Sequence, residues 1–296
     1  MRALFIPNLK ARQTSSDHIE LLIHVAPLYG GEVDVLPDND SPEEMEFLVK
    51  ERLKAKEYER IICFGGDGTV NRIVRAIQGT NIPLGIIPTG TANLLSHELG
   101  LPVDPQVALE IALTGKVVDV DLGMINGLPF VDMAGFGFDG RVVSRVDRGI
   151  KDLLGPLAYV AAGIKEIATY KKSRFTIDGE DWHIDVDAWL LVVCNLPGYG
   201  YNNVQIIPDA KFDDGYLNFC LFTEDTAIDR LSQIGSVMIK KPEDNENIHL
   251  FKARKVKVAT DPPVDIQVDG DYFGNGCAEI EVIPGGLKVI APDDYL

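Results

Sequence analysis

Positive charge is scarce in this 296-residue chain: 28 Lys and Arg stand against 45 Asp and Glu, a formal net charge of −17. That balance disfavours nucleic-acid binding, because phosphate contacts require clustered cations. Cysteine is scarce as well. Cys63, Cys194, Cys220 and Cys277 lie far apart and form no C-x-x-C pair, which predicts reduced, mostly buried thiols and a cytoplasmic location. No apolar run approaches the ~18 residues of a membrane span. The opening residues, Met1 to Pro7, are too short an apolar run for a signal peptide and read as a first strand. The five histidines (His18, His24, His97, His183 and His249) show no H-x-x-x-H spacing, so no histidine metal set is expected. There is no G-x-S-x-G, and hydrolase readings fail with it. Neither G-x-G-x-x-G nor a P-loop glycine run followed by Lys occurs.

What the chain does have is two glycine turns, each following a buried-strand pattern. The run Ile61-Ile62-Cys63-Phe64 empties into Gly65-Gly66-Asp67-Gly68-Thr69, and apolar residues then recur at helical spacing from Val70. Strand, glycine turn and helix in that order aim backbone N–H groups and a helix N-terminus at one place, which suits phosphate. Glycine allows ligand oxygens to approach the backbone closely. A carboxylate there repels phosphate, so Asp67 suggests a bound cation or a base beside a hydroxyl to be phosphorylated. The second turn, Thr89-Gly90-Thr91-Ala92-Asn93, follows Leu84–Ile87 and precedes another helical pattern. Asn93 equally suits an N-terminal cap. Two adjacent parallel strands would bring both turns to the carboxyl edge of one sheet, where ligands bind in open α/β folds.

The first 120 residues alternate strand signals (Ala3–Ile6, Glu32–Leu36, Arg60–Phe64, Leu84–Ile87) with helix signals (Ser16–Tyr29, Pro42–Ala55, Val70–Gln78, Ala92–Leu99, Pro105–Thr114). Such alternation predicts a parallel sheet covered on both faces. After Val117–Asp121 the pattern turns to strands at Ala188–Cys194, Tyr216–Phe222, Lys255–Ala259 and Val264–Val268, with a helix at Asp225–Lys240. We therefore expect an α/β nucleotide domain over residues 1–120 and an all-β, antiparallel domain over 121–296. In the second part, Asp269 and Asp271 flank Gly270. An extended segment would turn both carboxylates to one side, where they could bind Mg²⁺ or divide the roles of base and ligand. A solvated hairpin turn is the plainer reading of Asp-Gly. Asp213-Asp214-Gly215-Tyr216 offers carboxylates and carbonyls of the kind hard cations favour, and also reads as a type I′ turn.

These blocks together resemble the diacylglycerol kinase catalytic-domain family, which includes bacterial soluble lipid kinases and sphingosine kinases. Gly65–Thr69 matches its nucleotide signature, and Pro88–Leu95 followed by Leu99–Pro102 matches its second block. Gly135–Asp139, Gly155–Tyr159, Pro208–Ala210 with Asp213–Leu217, and Asp269–Asp271 follow in the family's order. The resemblance implies a fold like that of NAD kinase and phosphofructokinase, with a C-terminal β-sandwich and an active site in the cleft between the domains. It implies nucleotide contacts from Gly65, Gly66, Asp67, Gly68, Thr69, Gly90, Thr91 and Asn93. It implies Mg²⁺ at Asp213, Asp214 and the Tyr216 carbonyl, and catalysis by Asp67 or by Asp269 and Asp271. Asp139 joins the candidate acids of that cleft. Asp271 stands where the family has Glu. The family's opening Asn-Pro turn is replaced by Pro7-Asn8-Leu9-Lys10-Ala11-Arg12, where Lys10 and Arg12 could meet phosphate by charge.

The implied activity is ATP- and Mg²⁺-dependent phosphorylation of a lipid hydroxyl, with diacylglycerol the first acceptor. A sphingoid base, a polyprenol or NAD are other acceptors, and a nucleotide-binding regulator without turnover is the alternative of another class. Between Asp139 and Arg174, eight basic residues outnumber four acidic ones around the apolar stretch Leu153–Ile164. That pattern suits either peripheral contact with the inner face of a membrane through residues 141–174 or an ordinary core helix. The sequence is compatible with a homodimer.

Overall fold

The structure is a computed structural model that describes residues 2–8, 32–37, 41–145, 167, 169–199, 204–224 and 226–295. The expected helix Ser16–Tyr29, Lys10 and Arg12, the block Gly155–Tyr159 and most of the apolar stretch 141–174 fall outside the described residues.

The chain divides into two units, one built from Met1–Leu122 with Ile283–Leu296, the other mainly from Gly123–Tyr199 and Val204–Val282. Residues 283–296, grouped with the second domain in the sequence reading, thus pack in the first unit. The first unit holds β1 (Arg2–Pro7), β2 (Glu32–Val35), α1 (Pro42–Ala55), β3 (Arg60–Gly65), α2 (Asp67–Ile77), β4 (Leu84–Pro88), α3 (Leu94–Glu98), α4 (Pro105–Thr114) and most of β5 (Lys116–Ile125). The second holds β6 (Leu128–Phe130), β7 (Met133–Gly137), α5 (Phe138–Arg145), β8 (Ser173–Asp178), β9 (His183–Ala188), β10 (Leu190–Cys194), β11 (Gly198–Tyr199), β12 (Val204–Gln205), β13 (Leu217–Phe222), α6 (Ala227–Met238), β14 (Ile248–Ala253), β15 (Lys255–Asp261), β16 (Asp265–Val268) and β17 (Asp271–Asn275). The last strand, β18 (Ala278–Ala291), gives its first residues to the second unit and its later ones to the first.

In the first unit, β1 pairs in parallel with β2 and β3, β3 with β4, and β4 with the end of β18 through Val289 and Leu84. The strands read as continuous apolar runs because both faces are covered. One face packs Phe5, Ile62, Phe64 and Ile87 on Ala108, Leu109 and Ala112 of α4. Helices α1 and α4 start where the sequence says because each has Pro in its first turn and a capping side chain, Ser41 and Asp104, taking N–H bonds.

The second unit is a β-sandwich. One antiparallel sheet runs β14-β13-β10-β7-β16-β17, and the other runs from β18 through β15 and β8 to β9. Their facing sides form one apolar core that includes Phe136, Leu191, Phe219, Phe175 and Val258. The six-stranded sheet carries a separate apolar cluster around Leu190, Val192, Cys220 and Phe222. Three cysteines are buried, Cys277 is exposed, and all four are free thiols. Among the described residues no helix is long and apolar enough to cross a membrane.

Candidate functional site

In the first unit the two glycine turns meet at the carboxyl ends of β3 and β4. Thr89 N–H extends the pairing by donating to the Gly65 carbonyl at 3.0 Å. Gly66 and Gly90 are in backbone contact: a Cβ on Gly66 would lie 2.7 Å from the Gly90 Cα, and one on Gly90 2.6 Å from the Gly66 Cα. Their lack of side chains therefore serves the contact between turns rather than ligand approach. Gly65 is likewise filled, since a Cβ there would strike Thr69. Gly68 differs. It is exposed, and no atom lies within 4 Å of a Cβ built on it.

Asp67 binds the turns together. Its carboxylate accepts from Asn93 N–H at 2.8 Å and Leu94 N–H at 2.6 Å, the first amides of α3. The negative charge that is awkward beside phosphate is thus spent on a neighbouring helix end. Burial raises the Asp67 pKa, and the Leu94 and Asn93 N–H groups pull against that rise. Asn93 is not the side-chain cap that its position suggests. Its backbone is left-handed (φ 49°), and its amide folds back to accept from Gly90 N–H (2.9 Å) and donate to the Gly90 carbonyl (3.1 Å). Thr91 is exposed. The Thr69 hydroxyl is buried and accepts from the Asn8 amide at 2.8 Å. Asn8 is a residue the motif reading passed over; its backbone N–H bonds Phe64, which brings the atypical first turn to the glycine turn. No side chain caps the N-terminus of α2. An eleven-residue helix with a bare amide end at Gly68 and a hydroxyl beside it can hold a phosphate.

In the second unit, Asp269 and Asp271 do not share one extended segment, since Asp269 lies in a turn and Asp271 opens β17. Asp269 and Gly270 both have positive φ (49° and 81°), the signature of a type I′ hairpin turn, and join β16 to β17 with Val268 opposite Asp271. The two carboxylates are therefore not directed together by strand alternation. Asp269 accepts three backbone N–H groups, from Val131 (3.0 Å), Asp132 (2.9 Å) and Met133 (3.0 Å), and so holds the turn before β7. Asn195 grips the same turn, donating from its amide to the Val131 carbonyl at 2.9 Å. Gln267 links the hairpin to Asp139: its amide donates to the Asp139 carboxylate at 2.6 Å, and its carbonyl accepts from Gly270 N–H at 2.8 Å. Asp139 is buried at the start of α5, and Gly135 is glycine because a Cβ there would lie 2.1 Å from an Asp139 oxygen. The family block Gly135–Asp139, which the resemblance makes a glycine-aspartate turn, lies across the end of a buried strand, Met133–Gly137, and the start of α5.

The third element, Asp213–Tyr216, is a turn in which only Gly215 is left-handed (φ 74°) rather than a type I′ hairpin. Asp213 is exposed. Asp214 accepts from Tyr216 N–H at 3.0 Å with one oxygen and pairs with Lys252 at 2.7 Å with the other. The Arg254 guanidinium lies 4.8 Å from the Tyr216 ring centre. A divalent cation needs several oxygen ligands. Mg²⁺ takes one or two carboxylates together with carbonyls and waters; Asp214 and the Tyr216 carbonyl would hold it here only if the Lys252 ammonium gave up its place on Asp214.

Comparison with known proteins agrees with the order of these parts. Residues 2–125 match the diacylglycerol kinase catalytic domain, and residues 132–291 match the YegS C-terminal NAD kinase beta sandwich-like domain. An uncharacterized protein of Synechocystis sp. is 34% identical over 238 residues, 78% of this chain and 54% of that protein, so the chain spans about half of that relative. A protein of Klebsiella pneumoniae described as “Probable lipid kinase YegS-like” is 30% identical over 239 residues, 80% of this chain and 79% of its own. A crystal structure from Bacillus anthracis str. Sterne, provisionally assigned as a diacylglycerol kinase, superposes with a TM-score of 0.81 at 25% identity, covering 100% of this chain and 96% of that one. With both domain models matched in sequence along one chain, this protein belongs to the diacylglycerol kinase catalytic-domain family.

Proposed function

We propose that the chain is an ATP-dependent lipid kinase that transfers the γ-phosphate to a lipid hydroxyl, with diacylglycerol, giving phosphatidic acid, as the acceptor to test first. The observation that carries this reading is the bare amide end of α2, where Gly68 faces open space beside the Thr69 hydroxyl. Phosphoryl transfer asks a protein mainly for positioning and charge stabilisation. Gly68 and Thr69 would orient phosphate. Asn8 fixes the Thr69 hydroxyl, and Asp67 with Asn93 keeps the second turn, including exposed Thr91, in register with the first. Asp67 and Asp269 hold backbone amides, and we assign the acceptor proton to Asp271, at the start of β17 beside the hairpin turn. Mg²⁺ carried in on the nucleotide phosphates would neutralise charge there. The acceptor would be met at a membrane surface by a cytoplasmic protein.

Incubation with γ-labelled ATP, Mg²⁺ and a mixed lipid extract in micelles tests the reading, with Asp271→Asn as the blank and NAD as a parallel acceptor. Labelled phosphatidic acid from the native chain alone supports it. A labelled sphingoid or polyprenyl product moves the acceptor but keeps the chemistry. One observation favours a second reading, nucleotide binding without turnover: two of the three candidate bases are spent on backbone amides. ATP binding with no labelled product would establish that second reading.

A further inference from the structure

One face of the six-stranded sheet carries the apolar cluster of Leu190, Val192, Cys194, Cys220 and Phe222. Cross-strand partners share a face, and the register places Cys194 opposite Asn218, and Asn218 opposite Lys252. Asn218 therefore stands on this apolar face. It is 1% exposed, and among the described residues neither its amide nitrogen nor its amide oxygen has a hydrogen-bond partner. Its two neighbours in the row do not complete it: Lys252 is turned to Asp214 at 2.7 Å, and the Cys194 thiol is fully buried. Burial, with the Asp139 charge adding to it, pushes that thiol up to about 12, which places Asp139 within electrostatic reach of the same row. A buried amide left unpaired is costly, and native proteins complete such groups with water or a ligand.

Resting on the kinase reading above, we propose that Asn218 is a specificity-determining residue of the acceptor site, completed by a hydroxyl or ester oxygen of a neutral glycerolipid. An amide offers two donors and an acceptor and no charge. It matches a hydroxyl with donor and acceptor together, while a sphingoid ammonium, a donor only, can use the amide carbonyl alone. A site built to bond an oxygen also rejects analogues that lack it.

The test compares native protein, Asn218→Leu and Asn218→Ser with dioctanoylglycerol and sphingosine as acceptors, with the melting temperature measured for each protein with and without dioctanoylglycerol. Asn218→Leu is expected to raise the KM for dioctanoylglycerol about tenfold, leave the KM for ATP unchanged and abolish the lipid-induced rise in melting temperature. Without lipid it should melt no lower than native, since the unpaired amide is gone. Asn218→Ser, which keeps a donor and an acceptor, is expected to retain the preference for the glycerolipid. Unchanged acceptor KM in a folded Asn218→Leu overturns the inference while leaving the kinase reading intact. If Asn218→Leu fails to fold, Asn218→Ala takes its place: a raised dioctanoylglycerol KM that Asn218→Ser does not show supports the inference, and a native KM overturns it. No labelled lipid from the native protein overturns both readings together.

Discussion

Asp67 and Asp269 are carboxylates whose work is to hold backbone. Asp269→Ala removes three N–H partners and also places Ala at a left-handed position. The second unit should lose about 2–4 kcal/mol, read as a fall in the denaturation midpoint. For Asp67 the decisive quantity is pH. Burial raises its folded pKa above the usual 3.8. The folded chain then keeps this proton to higher pH than the unfolded chain, so its stability falls as pH rises from about 3.8 through the raised value and levels off beyond it. Asp67→Asn carries no such proton. Denaturant titrations at stepped pH should show the native chain's advantage over Asp67→Asn shrinking across that window; a growing advantage would mean that the amide bonds outweigh burial. Neither role was legible in the sequence. The amides that Asp67 and Asp269 bind lie 26 and 137 residues away, and no local spacing encodes them. The motif showed which carboxylates matter without showing what they touch.

At the scale of the element, the two glycines of one motif have opposite duties. Gly66→Ala forces a methyl against the Gly90 backbone and should cost about 1–3 kcal/mol with no ligand present. Gly68→Ala meets nothing, so its unfolding free energy should move by about 0.5 kcal/mol or less while ATP affinity falls, as calorimetry would report. Equal losses of stability in both variants would contradict this division. Element boundaries were legible wherever chemistry punctuates the chain: Pro42–Ala55 and Pro105–Thr114 begin and end where the sequence places them, because cap and proline stand together. They were less so where geometry decides. The helix expected over Ala92–Leu99 shortens to Leu94–Glu98 because Asn93 is left-handed. Strand β7 hid behind its two glycines, which are there to admit Asp139 and to turn the chain. Strand β18 went unassigned; Pro284-Gly285-Gly286, with Gly285 left-handed, lies in the middle of one long strand.

At the scale of the whole molecule, the division of β18 between units is the feature that local patterns could not reveal. Its later half pairs with β4, and its side groups reach back into the first unit: Lys288 pairs with Asp119 at 2.6 Å, Gly285 N–H donates to Asp121 at 2.8 Å, and Lys116 bonds the Tyr295 carbonyl. A chain ending at residue 282 should therefore fail to form a native first unit although all of its glycine turns are present. Loss of ATP binding and a broad, non-cooperative melt would be the signs, and a cooperative melt with ATP binding would refute it. The same arrangement has a consequence during synthesis. The sheet edge that carries both glycine turns is encoded within the first hundred residues, yet the neighbour that completes β4, at Val289, comes much later in the chain. The nascent first unit must wait with a strand edge exposed while the second unit folds. A native first unit then becomes a property only of chains synthesised through β18, and chains cut short before it would be targets for clearance.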